Sequence, residues 1–173
     1  MTRTEGATPP ETTATETPGC ADLPLHVVPG PPEHGVSACA LDLAAALGAP
    51  VLRVPDGSAL DAALPRLAGR RVHLHVTDAL FGAGPEEAAE RVARVGAACA
   101  GLSVTLHDLP QPSDGPRNLP RRRAAYAAIA AAADAGVVVS SRHELALLVE
   151  HGTIPAVPGP GGRDPRIAVV PLP

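Results

Sequence analysis

Two short segments concentrate the side chains able to move protons or hold a polar ligand: His73-Leu-His75-Val-Thr77-Asp78 and Thr105-Leu-His107-Asp108-Leu-Pro-Gln-Pro-Ser-Asp114. Strand alternation puts His73 and His75 on one face. A His-x-His pair joined by a distant His-Asp pair has the donor types of a zinc or two-metal hydrolase. Against that chemistry, no further carboxylate or histidine follows at ligand spacing, and His73 falls too early in its strand to reach the carboxyl end. His107 is better placed, at the end of its strand. There an imidazole donates to a substrate hydroxyl or serves as general base, with Asp108 or a backbone carbonyl fixing its tautomer. The structural alternative is that Asp108 caps the turn and His107 packs beneath the loop.

A third segment offers chemistry through its backbone. Leu25-His-Val-Val-Pro-Gly-Pro-Pro-Glu-His-Gly-Val-Ser37 reads as an apolar strand, a Gly/Pro loop and the start of a helix. Loops of this kind bring N–H groups and the positive end of a helix to a phosphate, which makes Gly30, Gly35, Val36 and Ser37 the candidate contacts. The loop matches neither Gly-x-Gly-x-x-Gly nor a P-loop. The densest basic run is Arg117-Asn-Leu-Pro-Arg121-Arg122-Arg123, whose arginines at a helix start oppose the macrodipole. It reads as a solvated face, or as a contact for an anionic acceptor or a lipid head group at a membrane periphery.

Positioning these groups requires strands and helices in strict alternation. Apolar β-rich runs occur at Leu25–Val28, Val51–Val54, Val72–Val76, Ser103–Leu106, Val137–Val139 and Ile167–Val170. Between them Val36, Ala40, Leu43 and Leu47 form one helical stripe, and Ala88, Val92, Val95 and Cys99 another. Leu60, Leu64 and Leu67 begin a shorter stripe, and Ala124–Ala133 is nearly all alanine, the best helix former. Pro85 followed by Glu86 and Glu87 marks a helix start, and Ser141-Arg-His-Glu144 is a capping box. The expected fold is α/β: a Rossmann-like, doubly wound parallel sheet of about six strands with right-handed crossovers. Ligands then bind outside the carboxyl ends of the strands, where the three segments above fall.

Composition sets the outer bounds. A chain of 173 residues holds one domain of ordinary size. Aromatic residues make up only 1%, so the core must be aliphatic, and a base-stacking surface for single-stranded nucleic acid is excluded. A net charge of -4 lacks the basic footprint of a duplex binder. The three cysteines, Cys20, Cys39 and Cys99, have no metal-ligand spacing and suit reduced, buried thiols. Residues 1–22 are rich in Thr, Pro, Glu and Ala without periodicity, the composition of a disordered tail. With no apolar run of membrane-spanning length and no secretory leader, the expectation is a cytoplasmic protein.

The order of these motifs resembles the N-terminal domain of GT-B glycosyltransferases of the retaining, glycogen-synthase-like group 1 (family 4) type. The resemblance runs from Leu25 to Pro173. It is carried by His-Val-Val-Pro-Gly-Pro-Pro-Glu-His-Gly-Val-Ser at the first loop, Val-His-Leu-His at the third strand and Val-Thr-Leu-His-Asp-Leu at the fourth. Val-Val-Val-Ser-Ser-Arg-His-Glu at the fifth strand and Ile-Ala-Val-Val-Pro-Leu-Pro at the sixth complete it. The resemblance implies transfer of a sugar from a nucleotide diphosphate sugar to an acceptor hydroxyl. It brings Gly30 to Ser37 toward the donor diphosphate, His107 toward the transferred sugar, and Thr77, Asp78, Asp108 and Asp114 toward the acceptor. It also implies a C-terminal domain gripping the nucleotide through a basic residue and a Glu-x7-Glu segment, absent from these residues. Glu33-His34 replaces the second glycine common in the first loop. The expected molecule is therefore an acceptor-side half, inactive alone, whose partner is a separate donor-binding chain or a second copy. The competing expectations are a non-catalytic Rossmann-like binding subunit and the metal-dependent hydrolase.

Overall fold

A computed structural model describes residues 23–151, 154 and 166–171. The expected tail over 1–22, with Cys20, lies outside the described residues. Six strands, β1 (Leu25–Pro29), β2 (Val51–Val54), β3 (Arg71–Val76), β4 (Gly101–Leu106), β5 (Gly136–Val139) and β6 (Ile167–Val169), form one sheet in the order β2-β1-β3-β4-β5-β6. All neighbours are parallel. The helices are α1 (Gly35–Leu47), α2 (Ala59–Ala63), α3 (Asp78–Phe81), α4 (Pro85–Ala98), α5 (Gly115–Ala132) and α6 (Arg142–Glu150). The α/β parallel sheet expected from alternation is therefore the fold.

The helix boundaries follow from local chemistry. His34 caps α1, its Nδ1 accepting from Val36 N–H at 3.3 Å, and Gly48 closes the helix in the left-handed region at φ 64°. Pro85 sits in the first turn of α4 with Glu86 and Glu87 against the positive end of the dipole. Ser141 accepts from Glu144 N–H at 3.2 Å while the Glu144 carboxylate reaches back to the Ser141 N–H, completing the capping box of α6. The fifth helix departs from expectation: it begins at Gly115, before the alanine run, and carries Pro120 inside. Pro116 falls in the first turn, where its missing N–H has no intrahelical acceptor to lose, whereas Pro120 lies in the second turn and forgoes one i→i−4 hydrogen bond. The arginines consequently lie in the body of α5.

The two faces of the sheet are chemically unequal. Leu25 and Val27, Val72, Leu74 and Val76, and Leu102, Val104 and Leu106 alternate onto one face and pack with Leu60, Leu67, Phe81, Val92, Val95 and Ile129 in the main core. Right-handed crossovers carry α2, α4, α5 and α6 over that face, while the connection from β1 outward to β2 puts α1 on the other. There α1 meets β1 and β3 with small residues, Ser37, Ala40 and Ala44. Opposite them, at alternate strand positions, stand His26, His73, His75, Ser103 and Thr105. An all-parallel sheet ordinarily buries aliphatic side chains on both faces. Here one face is polar and still buried, with His26 and His75 each 2% exposed.

Candidate functional site

Strand order reverses between β1 and β3, and the loops at their carboxyl ends, with those of β4 and β5, form the edge where a ligand meets a doubly wound sheet. The expected site residues all lie along this edge, in two groups separated by the plane of the sheet.

On the side of α3, α4 and α5, a cleft of about 480 Å³ is lined in part by Asp78, Asp108, Asp114, Asn118, Arg121 and Arg122. Asp78 opens α3 at the end of β3, Asp108 follows β4, and Asp114 precedes α5. Arg122 joins them. Its Nε donates to Asp78 at 3.0 Å, Nη1 to both oxygens of Asp114 at 2.7 and 2.8 Å, and Nη2 to Asp108 at 3.0 Å and to the Asp108 carbonyl. Hydrogen bonds to these carboxylates hold the guanidinium fully charged. Arg122 is thus buried, and the expectation of an exposed Arg121-Arg122-Arg123 face for anions or lipid head groups is corrected for it. An arginine in this position neutralises carboxylates that the fold has already gathered. Arg121 stays exposed but is bonded in bidentate fashion to Glu86 at 2.7 and 2.8 Å. Arg123 is half-buried.

Asp108 has φ 48°, the one described non-glycine residue in the left-handed region, which aspartate tolerates better than most. Tyr126, the sole tyrosine, holds this turn: its hydroxyl, 3.0 Å from the His107 carbonyl, donates to the backbone there. The turn sends neighbouring side chains apart. Asp108 joins the cleft, whereas His107 stacks on His75 over the histidine-bearing face, with ring centroids 5.4 Å apart.

That face carries a continuous row of imidazoles. His26 and His73 are cross-strand partners with centroids 4.9 Å apart, His73 and His75 are 5.0 Å apart, and His75 Nδ1 lies 3.2 Å from His107 Nε2. His73 is tied to Ser103 Oγ at 2.8 Å and Thr105 Oγ1 at 3.0 Å. Burial pushes His73 down to about 3 and His75 down to about 2, reinforced by the neighbouring imidazoles. His107 is also lowered by burial, against the pull of Glu144. All three rings are therefore neutral near pH 7. Among the described residues no group of three or more His, Cys, Asp or Glu side chains is arranged to hold a metal ion.

The first loop is tightly built. Gly30 has φ 85°, which favours glycine by conformation; a Cβ there would stand 2.8 Å from Leu80 Cδ2, the movable end of a side chain on α3. Ser37 is buried and its hydroxyl donates to the Pro29 carbonyl at 2.9 Å, while the Val36 N–H is bonded to His34. Gly35 differs: a Cβ there meets nothing within 4 Å. Thr77 is buried between the end of β3 and α3 and makes no capping bond.

No family model, curated protein or solved structure matches the chain. The site is therefore defined by its own geometry. Sequence alone did not single out His26, Asn118 or Tyr126. His26 joins the row only because β1 pairs with β3 in that register. The signal for Tyr126 was its isolation as the one tyrosine in an alanine-rich helix.

Proposed function

We propose that the chain is the acceptor-side domain of a GT-B type glycosyltransferase, in which the cleft beside α5 receives the hydroxyl-bearing acceptor and His107 faces the sugar being transferred. The cleft carries this reading: it lies at the carboxyl edge of a parallel sheet, beside the strand-order reversal, and brings three of the four expected acceptor residues together. Its chemistry suits a polyol. The Arg122 donors are all directed to Asp78, Asp108 and Asp114, and Arg121 is turned to Glu86, so little positive charge is left for a phosphate. Asp108, with a largely exposed side chain, and Asn118 offer hydrogen-bonding groups to hydroxyls or to an ammonium group. An acceptor rich in hydroxyls and without negative charge is the match.

Catalysis in this reading is positioning together with charge stabilisation on the departing diphosphate or the sugar. The nucleotide is held mainly by a second domain, so the 173-residue chain alone is expected to turn over no sugar nucleotide. The test is amide NMR of the labelled chain with a panel of neutral sugars, amino sugars and sugar phosphates. Saturable shifts at Asp108, Asn118 and Arg121 with neutral or amino sugars, and none with sugar phosphates, are expected. Silence of these amides toward every saccharide overturns the reading, as does robust transfer by the isolated chain.

A further inference from the structure

Among the described residues, two imidazole nitrogens on the histidine-bearing face are buried without a hydrogen-bond partner, His26 Nδ1 and His75 Nε2. The second decides where a proton sits. A neutral imidazole carries its hydrogen on one nitrogen and a lone pair on the other. His75 faces His107 through Nδ1, 3.2 Å from His107 Nε2, and one proton lies between those two atoms. If that proton belonged to His107, His75 would be protonated at Nε2, placing an N–H in an enclosed position with no acceptor. Buried N–H groups without acceptors are rarer and costlier than unused lone pairs. The proton therefore belongs to His75 Nδ1, and the lone pair to His107 Nε2.

The neighbouring ring is different. His73 Nδ1 lies 2.8 Å from Ser103 Oγ and Nε2 3.0 Å from Thr105 Oγ1, and the Ser103 hydroxyl can direct its hydrogen to that ring or to the Val72 carbonyl at 3.3 Å, so either tautomer of His73 keeps its hydrogen bonds. His75, with its enclosed Nε2, is the ring whose tautomer the geometry decides.

We infer that His75 is a positioning residue that fixes His107 as the Nδ1–H tautomer, making His107 a hydrogen-bond donor rather than a general base toward whatever meets its outer nitrogen. Among the described residues no protein hydrogen bond reaches His107 Nδ1, and the ring is only half-buried, whereas Nε2 is occupied by His75. The consequence for sugar transfer rests on the function proposed above: His107 Nδ1–H would donate to a sugar oxygen or to the oxygen of the departing diphosphate. The tautomer itself does not depend on that reading.

The experiment is a long-range ¹H–¹⁵N spectrum of the imidazoles in the full chain at pH 7.5, which distinguishes protonated from bare ring nitrogens. Protonated Nδ1 and bare Nε2 are expected at both His75 and His107; protonation of His107 at Nε2 overturns the inference. In His75→Asn, whose amide N–H occupies a position close to that of Nδ1–H, His107 is expected to keep its tautomer. In His75→Phe it is expected to shift toward the Nε2–H form that free imidazole prefers, and an unchanged His107 there also overturns the inference. The wild-type spectrum decides the matter even if the Phe variant fails to fold. No saccharide is used, so failure here is separable from failure of the transferase reading.

Discussion

Arg122 Nε donates to the Asp78 carboxylate across 3.0 Å, joining the head of α3 to the body of α5 over 44 residues of sequence. The same guanidinium holds Asp108 and Asp114, and its side chain is only 9% exposed. Removing it leaves three carboxylates facing one another, two of them largely buried. Arg122→Leu is expected to destabilise the protein by about 3–5 kcal/mol, read from urea unfolding. Arg122→Lys should recover less than half of the loss, because an ammonium group cannot offer a planar fork to three carboxylates. A Leu variant as stable as the parent would show that the cluster contributes no net stability.

Glycines at the carboxyl edge divide by what surrounds them. At Gly57 a Cβ would stand 2.6 Å from the Phe81 carbonyl oxygen, a backbone atom that cannot step aside. Gly57→Ala is expected to cost about 1–3 kcal/mol. Gly30→Ala meets the flexible end of Leu80 but keeps the unfavourable φ of 85°, with an expected cost of about 1–2 kcal/mol. Gly35→Ala meets nothing and is expected to stabilise by about 0.5 kcal/mol through the unfolded chain. Urea midpoints in the order Gly35→Ala, parent, Gly30→Ala or Gly57→Ala test this; a destabilised Gly35→Ala contradicts the open space found there.

How much of this was legible in sequence follows from which contacts are local. The caps of α4 and α6 and the six strands depend on neighbours within a few residues, and residues such as Pro85 and Ser141 announce them. His107-Asp108 was readable as a strand end, but not the divergence of its two side chains, which requires the left-handed Asp108 and the distant Tyr126 hydroxyl. Arg122 looked like its neighbours because helical position, not residue type, separates a buried arginine from exposed Arg121. The imidazole row needed strand order and register: His26, His73 and Ser103 align only once β1, β3 and β4 are known to be adjacent.

Acid should unfold this protein through its histidines before its carboxylates. Unfolded histidines take up protons near pH 6.5, whereas His73 does so in the fold only at about 3 and His75 at about 2; His26 and His107 are also lowered. Below pH 6.5 the unfolded state thus binds more protons, and stability falls as pH falls, by about 1.4 kcal/mol per pH unit for each such group. Above about pH 7.5 these groups contribute almost no slope, because the unfolded histidines are then mostly neutral. Between pH 6.5 and 5, His73 and His75 together should remove about 3 kcal/mol, a large share of the stability of an ordinary domain. Urea midpoints at pH 7.5, 6.5 and 5.5 should fall slightly between the first two and steeply between the last two. A level profile down to pH 5 would mean that these imidazoles gain protons without unfolding.

Asn118 separates binding in the cleft from the integrity of its walls. It lines the cavity from the first turns of α5 and is exposed, and its side chain makes no hydrogen bond within the described residues, so no side-chain hydrogen bond is lost when it is shortened. Its amide can nevertheless both donate to and accept from a sugar hydroxyl. Asn118→Ala is therefore expected to leave the urea midpoint within about 0.5 kcal/mol of the parent. The same change should weaken the most responsive saccharide by roughly fivefold to thirtyfold, the loss of one or two hydrogen bonds at about 1 kcal/mol each. Asp114→Asn makes the opposite comparison, since Asp114 is paired with Arg122 and also accepts from the Gln111 N–H at 3.0 Å. It should lower stability. Titrations of the two variants side by side distinguish a cleft that holds a ligand from one that is only a seam between α3, α4 and α5: in the seam, Asn118→Ala changes neither stability nor saccharide shifts.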